Sequence, residues 1–134
     1  MTRQSISVRN GEYVTLTQKQ HNVSLEAIGL NRDIAFTFVS KGQNVVGGLA
    51  RSPSMEQISK IFDPRNLGGK PEKIFVDIVG GDNSSVSRQY FETLISTIKR
   101  IDGGTGIFNI TWSVNDAIHP NYCLLGTEEL VHDF

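Results

Sequence analysis

The run Gly80-Gly81-Asp82-Asn83-Ser84-Ser85 holds the clearest chemical potential in this 134-residue sequence. A glycine pair feeding a helix start leaves N–H groups converging on one point, where the helix dipole also favours negative charge. The chemistry that follows is anion recognition, with phosphate as the natural occupant. Arg88 lies in the first turn of the helix and Arg51 closes an earlier strand, so either could clamp the anion. Phe91 or Tyr90 would then lie near a base. The candidate ligand-binding residues are Arg51, Gly80, Gly81, Asn83, Ser84, Ser85, Arg88 and Phe91. A plainer alternative stays open: the glycines make a tight turn, the serines cap, and the arginines pair with Asp33, Asp77 or Asp82.

Residues for catalysis are sparse. Cys123 is the single cysteine, with His119 and Asp116 nearby as a conceivable dyad. Beside Tyr122, Leu124 and Leu125 it reads more simply as a small apolar residue. His21, His119 and His132 do not fall at ligand spacings with other donors, so no metal is expected. Gly-x-Ser-x-Gly, His-Glu-x-x-His and P-loop patterns are missing from the sequence. The expectation is no catalytic set and no cofactor.

The elements that must position these residues are legible from periodicity. Ile74 to Val79 is a dense apolar run that reads as a central strand buried on both faces, with Asp77 paired inside it by an arginine or backbone donors. A helix over 85–101 follows, with Val86, Tyr90, Leu94, Ile98 and Ile101 as its apolar stripe, broadened by Phe91 and Ile95. Asn10-Gly11 between two apolar runs predicts a type I′ hairpin with Arg9 facing Glu12. Extended segments are expected around Val23 to Leu30, Ile34 to Val39, Val45 to Ala50 and Phe108 to Val114. A short helix opens at Ser52-Pro53, with proline at its first position and capping-box spacing at Ser54 and Gln57. The tail from Cys123 to Phe134 is either a closing strand or an exposed acidic end. Together these give a single α+β domain over 1–134, an antiparallel or mixed sheet of six or seven strands packed by two helices.

Composition limits the partners. A net charge of −1 removes the long-range attraction that polymer nucleic-acid binders use. No apolar run approaches membrane-spanning length and no signal-peptide pattern is visible. With one cysteine there is no disulfide framework, which suits the cytoplasm. The strand from Ile107 to Val114 could lie at a sheet edge and pair with a copy, so a homo-oligomer is expected.

Gly47-Gly48-Leu49-Ala50-Arg51, then Lys73 to Gly81 and the helix bearing Asn83, resemble CheD, the chemoreceptor glutamine deamidase family. The resemblance covers about half the chain, Gly29 to Ile101, and implies a thiol deamidase of protein glutamines. It also places the nucleophilic cysteine at Asp33 and the histidine at Arg51, so this sequence lacks both. An aspartate and an arginine there would form an ion pair rather than a nucleophile and base. In size and inferred chemistry the chain also resembles phage Thoeris anti-defence sponges, oligomers that sequester cyclic ADP-ribose-type or cyclic oligonucleotide signals. The expected function is a non-catalytic protein holding an anionic, nucleotide-derived ligand. A CheD-like deamidase with altered catalytic residues and a protein-interaction or inhibitor module are the alternatives.

Overall fold

A computed structural model describes residues 4–20, 22–30, 32–113 and 122–126, the last segment by its backbone. Eight strands and two helices run in the order β1 (Gln4–Ser7), β2 (Glu12–Thr17), β3 (Val23–Ile28), β4 (Ile34–Gly42), β5 (Val45–Arg51), α1 (Met55–Ile61), β6 (Pro71–Gly80), α2 (Ser85–Asp102), β7 (Phe108–Ser113) and β8 (Tyr122–Gly126). The α+β class and the two helices are as expected. The strands divide between a five-stranded sheet, β2-β5-β4-β6-β7, and a three-stranded sheet, β1-β3-β8.

The larger sheet is the middle layer. On one face Ile34, Phe36, Phe38, Ala50, Ile74, Val76 and Ile78 pack against Ile58, Ile61, Phe62, Leu94 and Ile98 from the helical layer. Phe62 anchors that side, stacked on Phe36 and edge-on to both Phe38 and Phe108. On the opposite face Leu16, Ala35, Val39 and Leu49 meet Val8, Val23, Leu25, Ala27 and Leu30 beneath the smaller sheet. Covering on both sides explains why β4 is buried at alternate and intervening positions alike. Glycine is required in β5, where a Cβ on Gly48 would lie 2.6 Å from both the Phe38 ring and the Val14 carbonyl.

The Asn10-Gly11 hairpin does not form. β1 pairs in parallel with β3, whereas β2 pairs antiparallel with β5. A turn is present, with the Glu12 N–H bonded to the Arg9 carbonyl, but Gly11 takes φ 82° while Asn10 keeps a negative φ. Type I′ needs positive φ at both central residues, so this turn sends the chain from one sheet to the other instead of folding it back. Arg9 meets Glu12 through its backbone N–H, not its guanidinium.

β6 lies inside the larger sheet, antiparallel to β4 and parallel to β7 across α2. It is not buried on both faces: Ile74, Val76, Ile78 and Gly80 turn inward while Glu72, Lys73 and Asp77 are exposed. Asp77 therefore needs no arginine; its carboxylate accepts from the Thr111 hydroxyl at 2.9 Å. α1 begins at Met55, two residues later than proline at its first position would require. Ser54 is its N-cap, forming a reciprocal capping box with Gln57, and Pro53 precedes the cap. α2 buries Ser87, Leu94, Thr97 and Ile98, while Val86 is 67% exposed and lies off the apolar stripe. Neither helix among the described residues is long and apolar enough to cross a membrane.

Candidate functional site

The turn from β6 into α2 is built around the β3–β4 connection. Gly80 has φ 100°, and a Cβ there would come within 2.5 Å of the Asp33 carbonyl. Gly81 has φ 83° and donates its N–H to that same carbonyl at 2.9 Å. The glycine pair thus serves close backbone approach, and the Gly81 amide is committed to the protein. Ser84 is the N-cap of α2, accepting from the Ser87 N–H at 3.2 Å. Ser85 is the first helical residue.

Asp82 supplies the negative charge expected at this helix start. Its carboxylate accepts from the Ser84 N–H at 2.9 Å and, in a short contact, from the Ser84 hydroxyl. Those bonds hold the Asp82 carboxyl below the usual carboxylate range. Arg32 approaches it at 3.4 Å, both side chains being well exposed, so this pair adds little. The protein's own carboxylate therefore stands where a phosphate was expected over Gly80 to Ser85.

Arg51 is engaged elsewhere. Its Nε and Nη2 donate to Asp33 Oδ2 at 3.2 and 3.0 Å, Nη1 donates to the Ile28 carbonyl at 2.9 Å, and Nη2 also reaches the Gly29 carbonyl at 3.3 Å. The positions that the CheD resemblance assigns to a catalytic pair are in contact, and they are closed by an ion pair.

A cavity of about 320 Å³ opens beside the turn, on the helical side of the sheet. Ile34, Ile78, Gly80 and Gly81 border it from the strand ends, Asn83, Arg88, Phe91 and Glu92 from α2 and its lead-in, and Trp112 from β7. Phe91 and Trp112 meet edge to face, with centroids 6.0 Å apart, and Trp112 remains 59% exposed. Of the residues singled out in the sequence, the structure brings Gly80, Gly81, Asn83, Arg88 and Phe91 to the cavity. Arg51, Ser84 and Ser85 do not line it, and Tyr90 points away, its hydroxyl donating to the Pro53 carbonyl at 2.6 Å. Burial pushes the Tyr90 phenol upward from its ordinary value, so it stays neutral.

Trp112 and Glu92 were missed. The pattern Phe108-x-Ile110-x-Trp112 reads as one buried strand face, yet Trp112, in register with Ile78, meets Phe91 of α2 and stays largely exposed. Glu92 reads as solvated surface, and only the helical repeat linking it to Arg88 four residues earlier could have marked it. The cavity wall also includes Asp82 and Ser87; the Ser87 hydroxyl donates to the Arg32 carbonyl at 2.7 Å. No group of three or more His, Cys, Asp or Glu side chains is placed to hold a metal among the described residues. His21, His119, His132, Asp116 and the Cys123 side chain lie outside them.

The polar groups here divide in two. Asp82 and Ser87 hold the fold together, whereas Asn83, Arg88 and Glu92 form no side-chain hydrogen bond or ion pair among the described residues. Three uncommitted recognition groups around an aromatic pair suit noncovalent capture of a planar, polar small molecule. No protein-family model and no curated protein matches this sequence.

Proposed function

We propose that this chain binds a small, anionic, nucleotide-derived ligand and holds it without transforming it. The observation that carries this reading is Arg88, an exposed guanidinium on the cavity rim with no acidic partner among the described residues. The salt-bridge alternative accounts for Arg51, which Asp33 satisfies, and leaves Arg88 unexplained. Asp82 already meets the free N–H groups at this helix start, so a phosphate would be held by the Arg88 guanidinium itself, as a charge-assisted contact. The aromatic pair supplies a surface for a base, a contact worth about 1–3 kcal/mol in single-strand binders. An ion pair at Asp33 and Arg51, rather than a nucleophile and base, favours holding over turnover.

The cavity volume of about 320 Å³ lies at the lower end of the range for small-ligand sites, roughly 300–1,000 Å³, and matches one nucleotide unit better than several. A cyclic ADP-ribose-type or cyclic oligonucleotide signal would insert one such unit. Sequestration of that signal in the cytoplasm, as in a phage anti-defence sponge, is the biological form of the proposal. β7 is the outer strand of its sheet and carries Trp112, so pairing of copies along that edge would place two cavities near one another.

Titration calorimetry against mononucleotides, cyclic dinucleotides and cyclic ADP-ribose tests the reading, with the ligand recovered afterwards and identified by mass. Saturable binding and unchanged ligand are expected. Absence of binding to every member, or recovery of a converted product, overturns it.

A further inference from the structure

The three uncommitted groups on the cavity differ in sign and position, and the difference selects among nucleotides. Arg88 and Glu92 lie one helical turn apart on the same face of α2, roughly 6 Å along its axis. Arg88 is nearer the N-terminus, where the dipole favours an anion, and Glu92 lies further in, next to Phe91 on a cavity that Trp112 also lines. A base stacked on the aromatic pair would thus present its edge to a carboxylate while its phosphate faces the guanidinium.

An ionised carboxylate only accepts hydrogen bonds, and it accepts two at once from a matching pair of donors. Guanine offers that pair on its Watson–Crick edge, N1–H beside the 2-amino group. Hypoxanthine offers N1–H alone. Adenine offers one amino group next to an acceptor nitrogen that would face the carboxylate repulsively. We infer that the base taken by this cavity is guanine, read by Glu92, with its phosphate on Arg88. The inference rests on the proposed nucleotide-binding role and narrows it to guanine-bearing ligands, which keeps guanine-containing cyclic oligonucleotides and drops cyclic ADP-ribose, whose base is adenine.

The test is calorimetric titration with GMP, IMP and AMP, on the wild type and on Glu92→Gln. Glu92 is exposed on α2, so the variant keeps its fold, which an unchanged melting temperature verifies. The wild type should prefer GMP over AMP by roughly tenfold or more, with IMP between them, as expected for one bidentate contact. Glutamine replaces one acceptor oxygen with a donor, so Glu92→Gln should weaken GMP at least as much and leave AMP equal or improved. Equal or tighter AMP binding by the wild type overturns the guanine assignment alone, as does a uniform loss across all three nucleotides. Failure of all three to bind overturns the guanine assignment alone if a cyclic dinucleotide or cyclic ADP-ribose still binds, and overturns the nucleotide-binding reading with it if none of these binds.

Discussion

Replacing Arg51 separates a structural arginine from a ligand-binding one. Its guanidinium ties Asp33 and the carbonyls of Ile28 and Gly29, at the end of β3, to the end of β5, and so joins the smaller sheet to the larger. The pair is largely shielded, with side-chain exposures of 16% for Arg51 and 33% for Asp33. Arg51→Met keeps the apolar stem and removes the planar fork. A hydrogen bond to a charged group contributes about 1.5–3 kcal/mol, and the four contacts share one guanidinium, so their losses do not add. Asp33 regains water on removal of its partner, which limits the total to about 2–3 kcal/mol. For a domain of this size that corresponds to a fall in Tm of roughly 6–12 °C, measurable by calorimetry or circular dichroism. Arg51→Lys should recover only part of it, since a single ammonium cannot reproduce the fork. Nucleotide affinity should be unchanged in Arg51→Met. A variant that melts like the wild type but loses affinity would place Arg51 in the binding site and refute this account of the pair.

Gly80→Ala should destabilise by about 2 kcal/mol or more, because the new Cβ meets backbone and the φ of 100° is strained for any L side chain; urea denaturation reads the loss. Ser40→Ala should be neutral or stabilise by up to about 1 kcal/mol by the same assay, since the Ser40 hydroxyl is buried without a partner among the described residues. Among the described residues three carboxyls are depressed in the folded state: Asp63 to about 2 by Arg65, Asp82 by Ser84, and Asp102 chiefly by the Gly106 N–H. Depressed groups stabilise above their unfolded pKa values and lose that contribution as pH falls, so Tm should decline from about pH 4 towards pH 2. Asp102→Asn should flatten part of that decline, because an amide there does not titrate.

Local signals survived into the fold where a nearby partner completes them. The Ser54–Gln57 capping box is fully formed, and Phe36, Phe38, Ile74, Val76 and Ile78 are core residues as their strand patterns imply. Signals failed where the deciding contact is distant in sequence. Asn10-Gly11 encodes a turn but not which strands it joins, and β1 finds β3 while β2 finds β5 because two layers compete for them. Ser87 and Thr97 are polar yet buried, since their hydroxyls donate to the Arg32 and Thr93 carbonyls; Val86 is apolar yet exposed. At the candidate site the glycine turn and Arg88 were readable from local pattern. The commitment of Arg51 to backbone carbonyls at the end of β3, and the approach of Trp112 to α2, depend on tertiary placement that spacing along the chain does not carry.

Trp112 is the only tryptophan in the chain and stands on the cavity, so its fluorescence reports occupancy directly. GMP added to the wild type should quench and shift that emission saturably as the base covers a residue that is 59% exposed in the free protein. Arg88→Ala should keep the same end-point spectrum but need roughly tenfold more ligand to reach it, for loss of one charge-assisted contact. An emission spectrum that stays constant through millimolar GMP, AMP, a cyclic dinucleotide and cyclic ADP-ribose alike, or an identical titration curve for Arg88→Ala, would contradict the claim that this cavity is a nucleotide site.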